Sequence, residues 1–293
     1  MILDKIQWGI PCGPDSDKII TLLIKSVYKT ARHPERFEFV LGVTSFVSKE
    51  KLQKRLIKYE KNIVYIEGSI TELEGSASAG DTINKLHNYM TSELIILSDC
   101  DVVLLKKNWD ELLITQIKGN IATIGVTTDV PDELKAIIGD GRSLIRYKNF
   151  PNNIFCIINN TIAKRLDICW KSLMSDDNSV IIEKVNISNK HLYPDLSYDD
   201  SVSLDTGYMF HKKLIENGYT GICLHLNNSE AKIIDSIFFH EFLLNDEVYL
   251  IHIKKHRIFS TVNTIFTNST VNTIFTKHYK KNMNKIKHFI KNC

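Results

Sequence analysis

The stretch Leu94-Ile95-Ile96-Leu97-Ser98-Asp99-Cys100-Asp101-Val102-Val103-Leu104-Leu105 is an apolar run interrupted by two carboxylates one residue apart. An apolar run of this length, bounded by polar residues, is typical of a buried strand in a parallel sheet. We therefore expect Asp99 and Asp101 at the carboxyl end of a strand, where open α/β sheets bind ligands. Two carboxylates there can hold a hard divalent cation, which can in turn hold a diphosphate.

A second pair of acids with the same spacing occurs at Asp15-Ser16-Asp17. It precedes a segment whose apolar residues, from Ile19 to Tyr28, follow a helical period. Asp and Ser are favoured caps at helix N-termini, so this pair is expected to begin a helix. A loop that contacts a phosphate or a base is the alternative.

The order of elements around the central run predicts an α/β fold. Strands are expected over 6–11, 37–43 and 63–66, and helices follow the first two of them, which is the pattern of a right-handed parallel sheet. A segment of small residues, 75–81, then begins a helix that leads into the central run. Small residues let a ligand approach the backbone closely.

The totals describe an ordinary globular chain. It has 293 residues, of which 43% are hydrophobic, and a formal net charge of +3, so the composition does not call for a nucleic-acid partner. Its six cysteines lack paired spacing, which favours reduced thiols and a reducing compartment. Without a signal-peptide pattern or an apolar run of about 20 residues, a soluble cytoplasmic protein is expected.

The segments around the central run resemble a known family. A first strand ending at Pro11, the small-residue segment, a helix carrying Asn84 and the run Glu93–Asp101 are together similar to the nucleotide-sugar-binding half of GT-A glycosyltransferases, most of all the family-2-like group. The resemblance covers roughly residues 5–250. It implies a Rossmann-like α/β domain with a mixed, mostly parallel sheet flanked by helices.

The resemblance also implies how the domain is divided and what it binds. Residues 1–255 would form the GT-A domain, with 1–105 binding the nucleotide sugar and 106–255 the acceptor. In that family the first Asp of the pair contacts the ribose and the second binds Mn²⁺ or Mg²⁺ bridging the diphosphate, which gives these roles to Asp99 and Asp101. The predicted nucleotide-sugar site further includes Pro11, Thr44, Ser78, Asn84 and Lys255.

A segment near residue 205 resembles the catalytic-base segment of the same family, in which inverting members use an Asp to deprotonate the acceptor hydroxyl. Asp205 precedes a predicted helix that ends at Asn217-Gly218, although Leu204 stands where the family motif commonly has Glu. An N-cap of that helix is the alternative role for Asp205. Asp200 is the next candidate for the base, with Asp199 beside it.

Many GT-A enzymes complete the metal shell with a histidine just after a late strand. His225, His240 and His252 are the candidates, and we choose His252 because it follows a strand-like run and precedes the basic residues 254–257. A purely structural role is the alternative. Trp170 is predicted either to stack on a sugar or to fill the core.

Residues 256–293 are expected to form a basic C-terminal extension with helical character. Within it, 260–267 recurs almost unchanged at 269–276, which indicates a local tandem duplication. Apolar residues at helical spacing among lysines in 280–292 predict an amphipathic helix that docks on the domain or contacts a membrane surface.

The sequence thus predicts a metal-dependent glycosyltransferase that moves a sugar from a UDP- or GDP-sugar to a hydroxyl of a glycan acceptor, with inversion. One alternative is a sugar-phosphate nucleotidyltransferase, although the first loop lacks the Gly-rich, Arg- or Lys-bearing segment that holds a triphosphate. The other is a catalytically silent module that binds a nucleotide or a glycan.

Overall fold

The structure is a computed structural model. It describes residues 5–13, 16–45, 47–69, 76–127, 136–137, 143–145, 150–170, 202–204, 206–227, 232–234 and 237–253. The predicted C-terminal extension and its duplicated segment lie outside the described residues. In the described part of the chain, no helix is long and apolar enough to cross a membrane.

The strands are β1 Ile6–Cys12, β2 Phe37–Val43, β3 Ile63–Glu67, β4 Leu94–Ser98, β5 Val102–Leu104, β6 Ile121–Val126, β7 Ala136–Ile137, β8 Ser143–Ile145, β9 Phe155–Asn159, β10 Val202–Leu204, β11 Thr220–Leu226, β12 Lys232–Ile234, β13 Ile237–Leu244 and β14 Glu247–Ile253. The α-helices are α1 Ser16–Thr30, α2 Lys49–Leu56, α3 Ser76–Tyr89, α4 Trp109–Ile114, α5 Asn160–Arg165 and α6 Tyr208–Glu216. Two 3-10 helices, Pro34–Arg36 and Ile57–Asn62, lead into β2 and β3.

The main sheet has the strand order β3-β2-β1-β4-β9-β6-β11-β13-β14-β5, and β12 pairs with β13. Strands β3, β2, β1 and β4 run parallel, β9 is antiparallel to both β4 and β6, and β6 is parallel to β11. From β11 to β5 the pairing is antiparallel. The predicted mixed sheet is confirmed, and most of its strands point the same way. A small sheet, β10-β8-β7, is separate.

The central apolar run forms two strands. β4 lies in the middle of the sheet between β1 and β9, whereas β5 pairs with β14 at the end of the strand order. The carboxylates follow β4 as predicted. The sequence did not predict that Val102–Leu104 forms a separate strand in another part of the sheet. Both halves of the run are buried and apolar, so the pattern gives no sign of the separation.

The sheet is buried on both faces, and helices flank it as predicted. Side chains from α1, α2 and α4 join one core cluster, and side chains from α3 and α6 join the other. Along β4, Ile96 belongs to the first cluster, and its neighbours Ile95 and Leu97 belong to the second. A strand covered on both faces explains why this segment has no polar alternation.

Trp170 belongs to the core. Its side chain is 1% exposed, and its ring lies 4.4 Å from that of Phe210, between centroids. Of the two roles predicted for Trp170, the structure supports core packing and not sugar stacking. His211 is buried beside this cluster, and its ring centroid lies 4.8 Å from that of Phe150 and 5.1 Å from that of Phe210.

The close crossing of β6 and β9 gives a first testable prediction. A Cβ atom at Gly125 would lie 2.1 Å from the backbone oxygen of Phe155, and backbone cannot move aside as a flexible side chain can. We expect Gly125→Ala to lower the free energy of unfolding by about 1–3 kcal/mol or more, measured by chemical denaturation. Gly13→Ala is the control, because no atom of the described part of the chain lies within 4 Å of its added Cβ. Equal stability of the two variants would contradict this packing.

A second prediction concerns the buried His211. Burial lowers the pKa of His211 to about 3, although a hydrogen bond to the backbone of Pro151 acts in the opposite direction. Its Nε2 atom is buried and has no hydrogen-bond partner among the described residues. A folded-state pKa below the unfolded value of about 6.5 means that neutral His211 stabilises the fold above that pH, and that this stabilisation is lost as the pH falls toward 3.

We therefore expect the free energy of unfolding to fall on acidification, with His211 contributing a slope of at most about 1.4 kcal/mol per pH unit below pH 6. The variant His211→Asn should show a shallower decline than the parent, as measured by denaturation at a series of pH values. His225→Asn is the matched control, because His225 is exposed on β11. If the free energy of unfolding of His211→Asn has the same pH dependence as that of the parent, His211 does not have the lowered pKa described above.

Candidate metal centre

The candidate site is built on the turn that follows β4, and its neighbours hold that turn in place. The indole nitrogen of Trp8 donates to the hydroxyl oxygen of Ser98 over 2.8 Å. One residue later, the backbone N–H of Asp99 donates to the carbonyl of Ile154 over 3.1 Å. The turn is thus tied to β1 and to the segment before β9, the two neighbours of β4.

The start of α1 contacts the same turn. Cys100, between the two acids, is buried, and its Sγ atom lies 3.2 Å from Oγ of Ser16, the first residue of α1. Asp17 is directed elsewhere, to an ion pair with Arg55 over 3.1 Å. The pair Asp15-Ser16-Asp17 therefore begins a helix as predicted, and Ser16 supports the turn. Asp15 lies outside the described residues.

β14 brings a histidine to the turn. Val102, at the start of β5, pairs with His252, and the backbone N–H of Ile253 donates to the carbonyl of Asp101 over 3.0 Å. Sheet pairing fixes which residue of β14 faces the acids, because a slip of one residue would move His252 to the other face.

The three side chains converge. Nε2 of His252 lies 3.3 Å from Oδ1 of Asp101 and 3.8 Å from Oδ2 of Asp99. One ligand atom from each residue can be chosen so that all three lie within 4.8 Å of one another. The side chains of Asp101, His252 and Asp99 are 12%, 16% and 35% exposed, so the cluster is open to solvent on the Asp99 side.

The donor set suits a divalent cation. Carboxylate oxygens bind hard cations such as Mg²⁺ and Mn²⁺, and an imidazole nitrogen is a better ligand for Mn²⁺ than for Mg²⁺. Two carboxylates held this close repel each other unless a positive charge lies between them. The residues present therefore fit a bound Mn²⁺, with Asp101 the most deeply placed ligand.

The other candidate histidines do not join the cluster. His240 is buried on β13 directly opposite His252, and His225 is exposed on β11. Of the three histidines considered from the sequence, His252 is the one that the structure places beside both carboxylates.

The predicted nucleotide-sugar residues are spread over several elements. Pro11 lies in β1 and pairs with Gly42. Thr44 is buried after β2, and its hydroxyl donates to the carbonyl of Cys12 over 2.9 Å. Ser78 lies in the first turn of α3, and its side chain is outside the described part. The structure thus shows Thr44 joining β1 to β2, and a contact with a nucleotide remains a prediction for these residues.

Asn84 connects α3 to the loop after α5. Its side-chain oxygen accepts from the backbone N–H of Trp170 over 2.8 Å, and its amide nitrogen lies 3.8 Å from Sγ of Cys169. These contacts give Asn84 a structural role, and its predicted role toward a nucleotide sugar stays a prediction.

The predicted base residues, Asp205 and Asp200, and the predicted Lys255 lie outside the described residues. The helix after Asp205 is described, and it begins at Tyr208 with Gly207 in the N-cap position at φ 89°. The N-cap position of this helix, which was the alternative predicted for Asp205, is therefore occupied by Gly207. Gly207 in turn packs on Trp170, 3.4 Å from where its Cβ would be.

The sequence analysis missed the residues that hold the turn, namely Trp8, Ser16 and Ile154. The position of Ser16 could have been predicted in part. It begins the helix after β1, and because β1 and β4 are parallel, that helix begins at the edge of the sheet where β4 ends. The contacts of Trp8 and Ile154 depend on which strands are neighbours, and no local pattern marks them.

Neither a protein-family model nor a curated protein matches this chain. Several solved structures do. The mannosyltransferase PcManGT of Pyrobaculum calidifontis, in complex with GDP-Man and Mn²⁺, is 12% identical with a TM-score of 0.45, and the match covers 75% of this chain and 66% of that one. S. aureus TarS in complex with UDP-GlcNAc is 16% identical with a TM-score of 0.41, and the match covers 69% and 56%.

A third match is the 4-diphosphocytidyl-2C-methyl-D-erythritol synthase of Anaerococcus prevotii, 15% identical with a TM-score of 0.43 over 78% of this chain and 92% of that one. The chain spans less than two thirds of the length of the mannosyltransferase and little more than half of the TarS fragment 1–349. Glycosyltransferases are thus among the solved structures to which this chain is similar.

Proposed function

We propose that this protein is a metal-dependent glycosyltransferase of the GT-A type, which moves a sugar from a UDP- or GDP-sugar to a hydroxyl of a glycan acceptor. The observation that carries the proposal is the convergence of Asp99, Asp101 and His252 at the carboxyl end of β4, with their ligand atoms within 4.8 Å. This is the edge where open α/β sheets bind nucleotides.

The three side chains would hold Mn²⁺, or Mg²⁺ in its place, and leave part of the coordination shell for diphosphate oxygens. When bound, the cation acts as a Lewis acid that stabilises the negative charge of the departing nucleoside diphosphate. Asp101 and His252 are the more buried ligands. Asp99, at the solvent side, would share the cation and contact the ribose of an incoming nucleotide.

The chain also has to supply a base. In an inverting transfer, the acceptor oxygen forms a bond to the anomeric carbon while the bond from that carbon to the diphosphate oxygen breaks. The proton of the acceptor hydroxyl passes to a carboxylate, for which Asp205 is our first candidate and Asp200 the second. The proposal for Asp205 rests on its position in the chain, three residues before Tyr208, the first residue of α6.

The proposed metal centre gives a third testable prediction. Asp101→Asn should weaken Mn²⁺ binding by about 100-fold or more, because the amide removes the charge and one strong ligand oxygen from the most buried position. Isothermal titration calorimetry of the full chain with Mn²⁺ alone measures this effect. Asp17→Asn is the matched control. It makes the same chemical change in the pair Asp15-Ser16-Asp17, where Asp17 forms an ion pair with Arg55.

The same variants also test the reaction. With Mn²⁺ present, the parent and Asp17→Asn should release nucleoside diphosphate from a UDP- or GDP-sugar, and Asp101→Asn should not. Mn²⁺ binding that survives in Asp101→Asn would refute the metal centre. Release of pyrophosphate from a nucleoside triphosphate and a sugar phosphate would identify a nucleotidyltransferase, and donor binding without turnover would identify a silent module.

A fourth prediction addresses the base. Asp205→Asn should lower kcat for sugar transfer by about 10²–10⁴-fold, because the acceptor hydroxyl loses the group that takes its proton. Binding of Mn²⁺ and of the donor should be retained, which separates loss of the base from loss of the site. Asp200→Asn is compared under the same conditions. A large decrease of kcat in Asp200→Asn, with no decrease in Asp205→Asn, would identify Asp200 as the base.

A further inference from the structure

A groove of about 730 Å³ lies between the second half of α1 and the 3-10 helix Ile57–Asn62. It is far from the proposed metal centre. α1 begins at Ser16 beside Cys100 and runs for 15 residues, about 20 Å, to the opposite edge of the sheet. The 3-10 helix leads into β3, so the groove lies where the parallel strands begin.

The groove is strongly basic. Of the nine residues that line it, four are lysines, Lys25, Lys29, Lys58 and Lys61, and one is acidic, Glu60. The lysines come from two separate elements and face one cavity, whereas lysines on a single helix face would point into bulk solvent. Such a concentration of ammonium groups attracts a ligand that carries several negative charges.

Two tyrosines line the groove together with the lysines. The rings of Tyr28 and Tyr59 lie 5.1 Å apart between centroids, and both are half-buried against the core. The amide nitrogen of Asn62 donates to the hydroxyl of Tyr28, and the ammonium of Lys58 lies 5.9 Å from the centre of the Tyr59 ring. Burial, together with the neighbouring Tyr28, raises the pKa of Tyr59, so its hydroxyl stays protonated and able to donate.

We propose that this groove binds an anionic glycan, that is, a chain of sugars carrying carboxylate or phosphate groups. The lysines pair with the anionic groups, while the tyrosine rings provide an apolar face for the C–H surface of a sugar and hydroxyls for its polar edges. Within the proposed function, the groove holds a polymeric acceptor at a distance from the metal centre, and this part rests on the glycosyltransferase assignment.

The shape and composition of the groove favour a glycan over other polyanions. A lipid surface is best met by a convex patch with apolar side chains that insert, and the groove is concave, with Ile57 as its one exposed large apolar residue among those described. Single-stranded nucleic acids are bound along extended basic grooves that track the backbone, whereas the described residues that line this groove come from two short segments, 25–29 and 57–62.

A fifth prediction tests the groove by direct binding. The full chain is titrated with oligogalacturonate, a carboxylated glycan, in the presence of EDTA, so that the metal centre plays no part. The triple variant Lys25→Gln, Lys58→Gln, Lys61→Gln should bind at least about tenfold more weakly than the parent, because three of the attracting charges are gone. The control Lys107→Gln, Lys118→Gln, Lys164→Gln removes the same charge from exposed positions elsewhere and should bind like the parent.

The variant Tyr59→Leu separates sugar contact from charge. Leucine keeps much of the apolar packing but removes the aromatic face, so glycan affinity should fall about three- to tenfold while all lysines remain. Neutral malto-oligosaccharide should bind much more weakly than oligogalacturonate. A thermal melt of each variant shows that it is folded.

The proposal is overturned if oligogalacturonate does not bind, or if the two triple variants lose affinity equally. It is also overturned if phosphatidylglycerol vesicles or a single-stranded oligonucleotide bind the parent more tightly than the glycan and depend on the same three lysines. Because metal is absent from this test, failure of the groove leaves the metal centre standing. Conversely, if the protein binds the glycan but does not turn over a donor, the groove is still a glycan-binding site, and only the proposal that this glycan is the acceptor is lost.

Discussion

At the end of the strand order, β5 pairs with β14, and this register places His252 opposite Val102, one residue after Asp101. The backbone bond from Ile253 to Asp101 continues the same ladder to the acid itself. A pleated strand alternates its side chains between two faces, so the register alone decides whether the histidine meets the carboxylates. The candidate metal centre is therefore a consequence of strand pairing, with its ligands held by backbone hydrogen bonds.

The core also holds the turn that carries the acids, from the other side. Trp8 is fully buried among Phe37, Phe39, Trp109 and Phe155, and its one polar atom reaches Ser98, the last residue of β4. A buried indole N–H without a partner is costly, so this hydrogen bond couples core packing to the position of the turn. Strand pairing on one side and core packing on the other therefore position the candidate site.

The two ends of α1 serve different surfaces. Its first residue supports the turn between the carboxylates, and its last turns contribute Lys25, Tyr28 and Lys29 to the basic groove. An acidic cluster at one edge of the sheet and a basic groove at the other separate the attraction for a cation from the attraction for an anionic polymer. At about 20 Å, exposed charges are largely screened from each other by salt, so the two surfaces act independently.

Local patterns in the sequence determined the alternation of strands and helices in the first hundred residues. The strand predicted over 37–43 coincides with β2, and the carboxylates of Asp99 and Asp101 follow a buried strand as expected, because apolar runs and helix caps are properties of neighbouring residues. The choice of His252 also came from a local feature, its place at the end of a strand-like run.

Only the tertiary structure decided what those elements meet. It divided the central run into β4 and β5, inserted β9 antiparallel between β4 and β6, brought Ser16 to Cys100, and placed lysines of α1 against those of the segment before β3. In the sequence, those lysines resemble any solvated helix face. Pairing between distant segments depends on which surfaces are buried together. Such pairing cannot be predicted from the residues next to each segment in the sequence.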